Sequence, residues 1–186
     1  MKNILSNKKG AIEMSIGTIV TIVLMVTMLI LGIVLIRNIF ASAKGVVDLT
    51  DQQLRDEVNK LFSEENAIAI YPGTRYVEIK QEATDGVGFG IRNLQQGAAG
   101  ETTFSYQVSA SDVGNCGVSE AVAESWIIVG KAEDDIAIPI GGNIVRKVMF
   151  QIPLGSPLCI ARYKVEVQAG GSAYASDFFD VKILAK

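Results

Sequence analysis

From residue 15 to residue 36 the chain runs for 22 residues without a charged side chain, SIGTIVTIVLMVTMLILGIVLI. As a helix rising 1.5 Å per residue this stretch is about 33 Å long, close to the ~30 Å hydrocarbon thickness of a bilayer. It therefore predicts a membrane-spanning helix with the lipid bilayer as its solvent. A core helix of a soluble domain would be shorter and would keep a polar face. The apolar part of a removable secretory signal is usually about 7 to 15 residues. A small-x-small site at Ala41-Ser42-Ala43 leaves cleavage there as the competing reading.

The flanks set the expected orientation. Lys2, Lys8 and Lys9 precede the span, while Arg37 and Lys44 follow it ahead of an acidic region. By the positive-inside rule the amino terminus is cytoplasmic and the rest of the chain is displayed outside the cell membrane. The three lysines are the only charged side chains among the first ten residues, so the remainder carries 14 basic and 20 acidic groups. Such a surface repels phosphate, and no basic clusters interleave with aromatic residues; a nucleic-acid partner is not expected.

At 186 residues the chain has room for the span and one ordinary domain. It contains no His, which removes the usual general base and the commonest metal ligand. With no nucleophile-base pair, phosphate loop or metal cluster legible, neither an enzyme nor a cofactor is expected. The two cysteines, Cys116 and Cys159, are 43 residues apart, which is not the spacing of a redox C-x-x-C pair. A structural disulfide suits an outward-facing domain; two buried free thiols are the alternative.

The run Lys8-Lys9-Gly10-Ala11-Ile12-Glu13 directly before the apolar stretch resembles the class III signal peptides of archaeal type IV pilin-like proteins and archaellins. The resemblance covers roughly residues 6–40. It implies that a prepilin peptidase cuts after Gly10, leaving Ala11 as the new amino terminus and the apolar helix on the mature chain. That helix then packs against copies of itself or other pilin-like subunits in a filament core. The carboxylate near the helix amino terminus is Glu13, at the third mature position, where many pilins place a Glu at the fifth, here Ser15. Glu13 also reads as a headgroup-level carboxylate four residues after Lys9.

Beyond the span, residues 37–65 place Val47, Leu54, Val58 and Leu61 at spacings suited to one helix face, and Thr50 with Gln53 has the form of a capping box. This segment is expected to be either a stalk against neighbouring subunits or a helix laid on its own outer domain.

From residue 67 the pattern turns to period two. Segments 76–80, 104–108, 163–167 and 179–183 alternate apolar with polar residues, and further strands are expected at 67–71, 87–93, 125–129, 135–140 and 145–152. Turn signals such as Pro72-Gly73, Asp85-Gly86, Gly141-Gly142 and Gly170-Gly171 separate them. Nine short strands in this span predict a β-sandwich. The stretch 87–110 resembles the immunoglobulin-type adhesion modules of archaeal and bacterial surfaces. Trp126 is expected in the core, and Glu133-Asp134-Asp135 reads as a solvated turn without the spaced ligands of a Ca²⁺ loop.

The expected organisation is a cytoplasmic leader (1–10), a transmembrane pilin-like helix (11–40), a helical stalk or linker (41–66) and an extracellular, immunoglobulin-like β-sandwich (67–186). The expected function is that of a structural subunit of a cell-surface filament, with a permanently anchored binding or adhesion module as the alternative.

Overall fold

A computed structural model describes residues 16–41, 45–63, 65–96 and 102–186, the side chains of residues 16 and 36–41 excepted. The chain divides into two compact units, Met1–Ala43 and Lys44–Lys186. In the first, helix α1 spans Ile16–Ala41. The leader and helix-start residues Lys8, Lys9, Gly10, Ala11 and Glu13 lie outside the described residues.

The second unit is built mainly of β-structure. Its strands are β1 (Ile68–Tyr71), β2 (Tyr76–Lys80), β3 (Thr84–Arg92), β4 (Thr102–Asp112), β5 (Ile127–Val129), β6 (Ala132–Ile138), β7 (Asn143–Gln151), β8 (Ile160–Ala169) and β9 (Ser172–Leu184). Each of the nine expected strands has a counterpart. They form a four-stranded sheet ordered β1-β3-β7-β5 and a five-stranded sheet ordered β2-β9-β8-β4-β6. Neighbours run antiparallel except β2 and β9, which are parallel. The Tyr71–Pro72 peptide, between the strands that join different sheets, is cis.

The alternating apolar residues of both sheets meet in one core. Rings interlock across the two sheets: Phe89 of β3 meets Tyr106 of β4 edge-on at 4.8 Å, and Phe150 of β7 meets Tyr163 of β8 at the same separation. Tyr163 is wholly buried, and its hydroxyl donates to the Ala123 carbonyl at 2.9 Å, so the apolar ring carries a satisfied polar tip. Trp126 is buried in this core, as its apolar surroundings in sequence suggest.

A second, smaller core lies on the outer face of the four-stranded sheet. Helix α2 (Asp51–Leu61) begins at Thr50 with a reciprocal cap: Gln53 N–H donates to Thr50 Oγ1 at 3.3 Å and Thr50 N–H donates to Gln53 Oε1 at 3.0 Å. Leu54 and Val58 are buried against Ala69, Tyr71 and Val145. Of the segment expected as a stalk or linker, residues 46–62 thus pack on the β domain to which they belong. Val47 does not share the buried face predicted for it; it is exposed, and Val46 is buried instead. The cap at Thr50 starts a new helix, so the 3-10 turn Val46–Asp48 is out of phase with α2.

Strand β3 explains the close docking. Its sequence alternates apolar residues with glycines: Val87, Phe89 and Ile91 enter the inter-sheet core, while Gly88 and Gly90 lie under α2. A Cβ on Gly88 would fall 2.4 Å from Leu54 Cδ1, and one on Gly90 would fall 2.7 Å from Val58 and the Phe62 ring. A glycine track lets the helix approach the sheet where any side chain would hold it off.

Two expectations are corrected in the β4 to β6 region. Residues 120–124 form a short helix α3 (Glu120–Glu124), capped by Ser119, and Ser125 and Trp126 close it, so β5 starts only at Ile127. Glu133-Asp134-Asp135 is not a turn but part of edge strand β6. The left-handed backbone of Asp135 (φ 57°) accompanies a register shift against β4, and such an irregularity lets a charged sequence pair as a sheet edge.

Candidate membrane anchor and β-domain surfaces

Within α1, Gly17–Leu35 forms a window of 19 residues long and apolar enough to cross a membrane, and none of it is buried in the protein. Side chains on every side of the helix, among them Val23, Leu24, Met28 and Leu31, are exposed. Two of its few polar side chains are satisfied within the helix. Thr21 Oγ1 donates to the Gly17 carbonyl at 2.7 Å and Thr27 Oγ1 to the Leu24 carbonyl at 2.9 Å. A helix whose backbone and hydroxyl groups bond internally meets the condition that hydrocarbon imposes.

The β domain carries its disulfide at one pole. Cys116 and Cys159 are joined, with Cα atoms 5.1 Å apart, tying the loop after β4 to the start of β8. The loop is folded locally as well: Cys116 N–H donates to the Val113 carbonyl at 2.8 Å, and Gly114 N–H to the Asp112 carboxylate at 3.0 Å. A bond closing 43 residues contributes about 3 to 4 kcal/mol by restricting the unfolded chain. Beside it is an open recess of about 410 Å³ lined chiefly by Leu158, Ile160, Ile183 and Leu184, with Lys182 at its margin.

Charged side chains on the domain are largely engaged with one another. Arg146 of β7 grips Glu133 of β6 through two bonds, Nε to Oε2 at 2.6 Å and Nη2 to Oε1 at 2.8 Å, linking the two sheets. The Arg146 guanidinium holds the Glu133 carboxyl below its ordinary value. On the five-stranded sheet, Arg162 pairs with Asp180, Lys182 with Glu78 and Arg75 with Asp177. Burial pushes the Tyr163 phenol well above its ordinary range, so it is a structural donor at any physiological pH. Among the described residues no group of three or more Cys, Asp and Glu converges as a metal cluster would.

Three features escaped the reading of the sequence. The β3 glycine track was signalled by VGFGI, where glycine stands at the positions that should be polar in a half-buried strand. Asn93 is the one fully buried polar residue among those described. Its amide donates to the Ile138 carbonyl at 2.9 Å and its side-chain oxygen accepts from Gln95 N–H at 3.0 Å, fastening the loop beyond β3. The exposed leucines Leu154 and Leu158 lie in the β7 to β8 connection, where no periodicity marks them.

No family model and no curated protein matches this sequence. Among solved structures, an alkylpurine DNA glycosylase AlkC of Pseudomonas fluorescens, bound to DNA containing an abasic site analog, is similar over 62% of this chain at 12% identity and a TM-score of 0.29. The chain spans only 30% of that protein's length. A Bacillus anthracis protein described as a lipoprotein is similar over 66% of this chain and 76% of its own, at 9% identity and a TM-score of 0.31. Likenesses this slight carry no argument about fold family or function.

Proposed function

We propose that the chain is a single-pass protein of the cell membrane that serves as a structural subunit of a pilus-like surface filament, anchored and then assembled through α1, with its β domain outward. The observation that carries this reading is a helix apolar around its whole circumference and uncovered by its own protein. In a bilayer such a helix is solvated by lipid; withdrawn from it, only burial against further copies satisfies the same surface. The Lys8-Lys9-Gly10-Ala11 sequence ahead of it supports processing by a prepilin peptidase.

The outer domain is proposed to be immunoglobulin-like. The strand order supports this: β1-β3-β7-β5 faces β2-β9-β8-β4-β6, with the first strands divided between the sheets and β2 parallel to β9. The division resembles the A-B-E-D and G-F-C sheets of that fold, with β2 and β6 added at the edges of the second and β5 coming before β6 in the chain.

A second reading, a permanently anchored exoplasmic module that binds a protein or glycan without polymerising, is favoured by one observation. Helix α2 buries its apolar face on its own sheet, so that face is not left for neighbouring subunits. Intact mass and amino-terminal sequencing of protein purified from membranes of the native host, or of a host supplying archaeal prepilin peptidase, separate the two. A chain beginning at Ala11 supports the filament subunit; one beginning at Met1 rejects it in favour of the tethered module.

A further inference from the structure

The β domain has two cores that do not merge. The first lies between the sheets and takes Val87, Phe89 and Ile91 from β3. The second lies outside the four-stranded sheet, and Val46, Leu54 and Val58 are the buried residues that the segment ahead of β1 brings to it. They cover Ala69, Tyr71 and Val145 over a floor of Gly88 and Gly90. Taking α2 away would leave the inter-sheet core covered by both sheets and every rung of the β1-β3-β7-β5 ladder in place. The polar pins around the helix face water. Lys147 pairs at 2.6 Å with Asp51, whose side chain is 84% exposed. Asn143 Nδ2 donates to Asn59 Oδ1 at 2.7 Å, and the Arg92 guanidinium lies 4.4 Å from the Phe62 ring centre. Exposed ion pairs contribute little to stability. The sandwich, by contrast, is held by interlocked rings and by the Cys116–Cys159 bond, none of which involves a residue of α2.

We infer that the segment Val46–Leu61 is a releasable spacer: it undocks from the four-stranded sheet as a unit of its own while the sandwich stays folded, and so lengthens the chain between Lys44 and β1. A helix of 11 residues does not persist alone in water, so undocking and melting are one event. Once melted, the stretch from Gly45 to Ile68 reaches at most about 80 Å. Any pull that enters the β domain from the chain ahead of it passes through this segment before it reaches a strand. Order along the chain is then order of loading, and the weakly held element comes first. Units of low local stability of this kind open without global unfolding. The use of the segment as a spacer rests on α1 being an anchor; its separate opening does not.

The test is native-state hydrogen exchange of the full chain in detergent micelles, followed amide by amide through a urea series below the main transition. The amides of α2 are expected to be on the order of 100-fold less protected than the slowest amides of β8 and β9, and to respond weakly to urea because little surface is uncovered. V165A, in the inter-sheet core, is expected to speed exchange in β9 by on the order of tenfold and to leave α2 unchanged, since the sandwich is intact both before and after α2 opens. I138V, a milder change in the same core, serves where V165A does not fold. L54A is expected to speed both. Protection of α2 equal to that of β8, or an α2 that V165A or I138V speeds as much as β9, means that the domain opens as one unit and overturns the inference. The same chain held in an optical trap between handles at A43C and Q168C is expected to lengthen in two steps, a reversible first one of no more than about 80 Å and then the sandwich. A single step, or loss of the sandwich first, overturns release under load.

Discussion

Gly88 lies directly beneath Leu54: a Cβ on the strand residue would stand 2.4 Å from the leucine Cδ1 and 3.0 Å from its Cγ. The absence of one methyl group on β3 thus sets how closely α2 packs on the sheet. Leu54 is 1% exposed and shares the second core with Val58, Ala69, Tyr71 and Val145, so the close approach at Gly88 lets it reach that cluster.

G88A is expected to destabilise the domain by about 1 to 3 kcal/mol through overpacking, and L54A by about 2 to 5 kcal/mol through a cavity. In the double variant the added methyl partly occupies that cavity, so the loss is smaller than the sum of the two. Denaturant unfolding of the four proteins, followed by near-ultraviolet dichroism, measures the coupling; additive losses would show that Gly88 and Leu54 do not share this space. G86A is expected to cost more than G88A, because its Cβ would stand 1.9 Å from the Val148 backbone carbonyl, which cannot turn aside as a side chain can.

Removal of the disulfide by C116A/C159A is expected to lower stability by about 2 to 5 kcal/mol. The same shift should follow reduction of the native protein. Thermal unfolding with and without reductant checks this, and the double-alanine protein should show no further response to reductant.

The Glu133–Arg146 pair predicts a pH dependence of definite sign. The folded carboxyl is held below its ordinary value of 4.5, chiefly by the hydrogen bond from Arg146, so the unfolded chain takes up its proton first as pH falls. The stabilisation is complete above about 4.5 and is lost as pH drops through the lowered folded value. Both side chains are about a third exposed, which screens the pair and limits it to about 1 kcal/mol or less. Unfolding of the native protein and E133Q between pH 7 and pH 3 should show a gap that narrows with acid; a constant gap would assign the effect to packing.

Val26 is the midpoint of the Gly17–Leu35 window. V26R is expected to raise the cost of insertion by about 2.5 to 3.5 kcal/mol. The readout is the fraction of chain resistant to alkaline carbonate extraction, which should fall for V26R and hold for V26L. Equal retention of V26R and V26L would mean that the window is not held in hydrocarbon.

Much of the architecture could be read along the chain because its signals are local. A charge-free run longer than a bilayer is thick, alternation of period two, turn residues between short segments and the Thr50–Gln53 cap each depend on residues a few positions apart. Residues 76–80 were legible because Val77 and Ile79 are buried while Glu78 and Lys80 face water. Glu133 to Asp135 misled for the same reason: a run of acids looks like a turn until an arginine thirteen residues away and a sheet edge are brought to it.

What lay beyond the sequence was whatever depends on which distant segments meet. Whether α2 serves as a stalk or lies on its own domain turned on the facing surface, and only the folded sheet aligns Gly88 and Gly90 under Leu54, Val58 and Phe62. The pairing of Cys116 with Cys159 and the burial of Asn93 have the same origin. Hydrophobic burial is indifferent to sequence separation, so local pattern decides which residues seek cover, and the strand order decides what covers them.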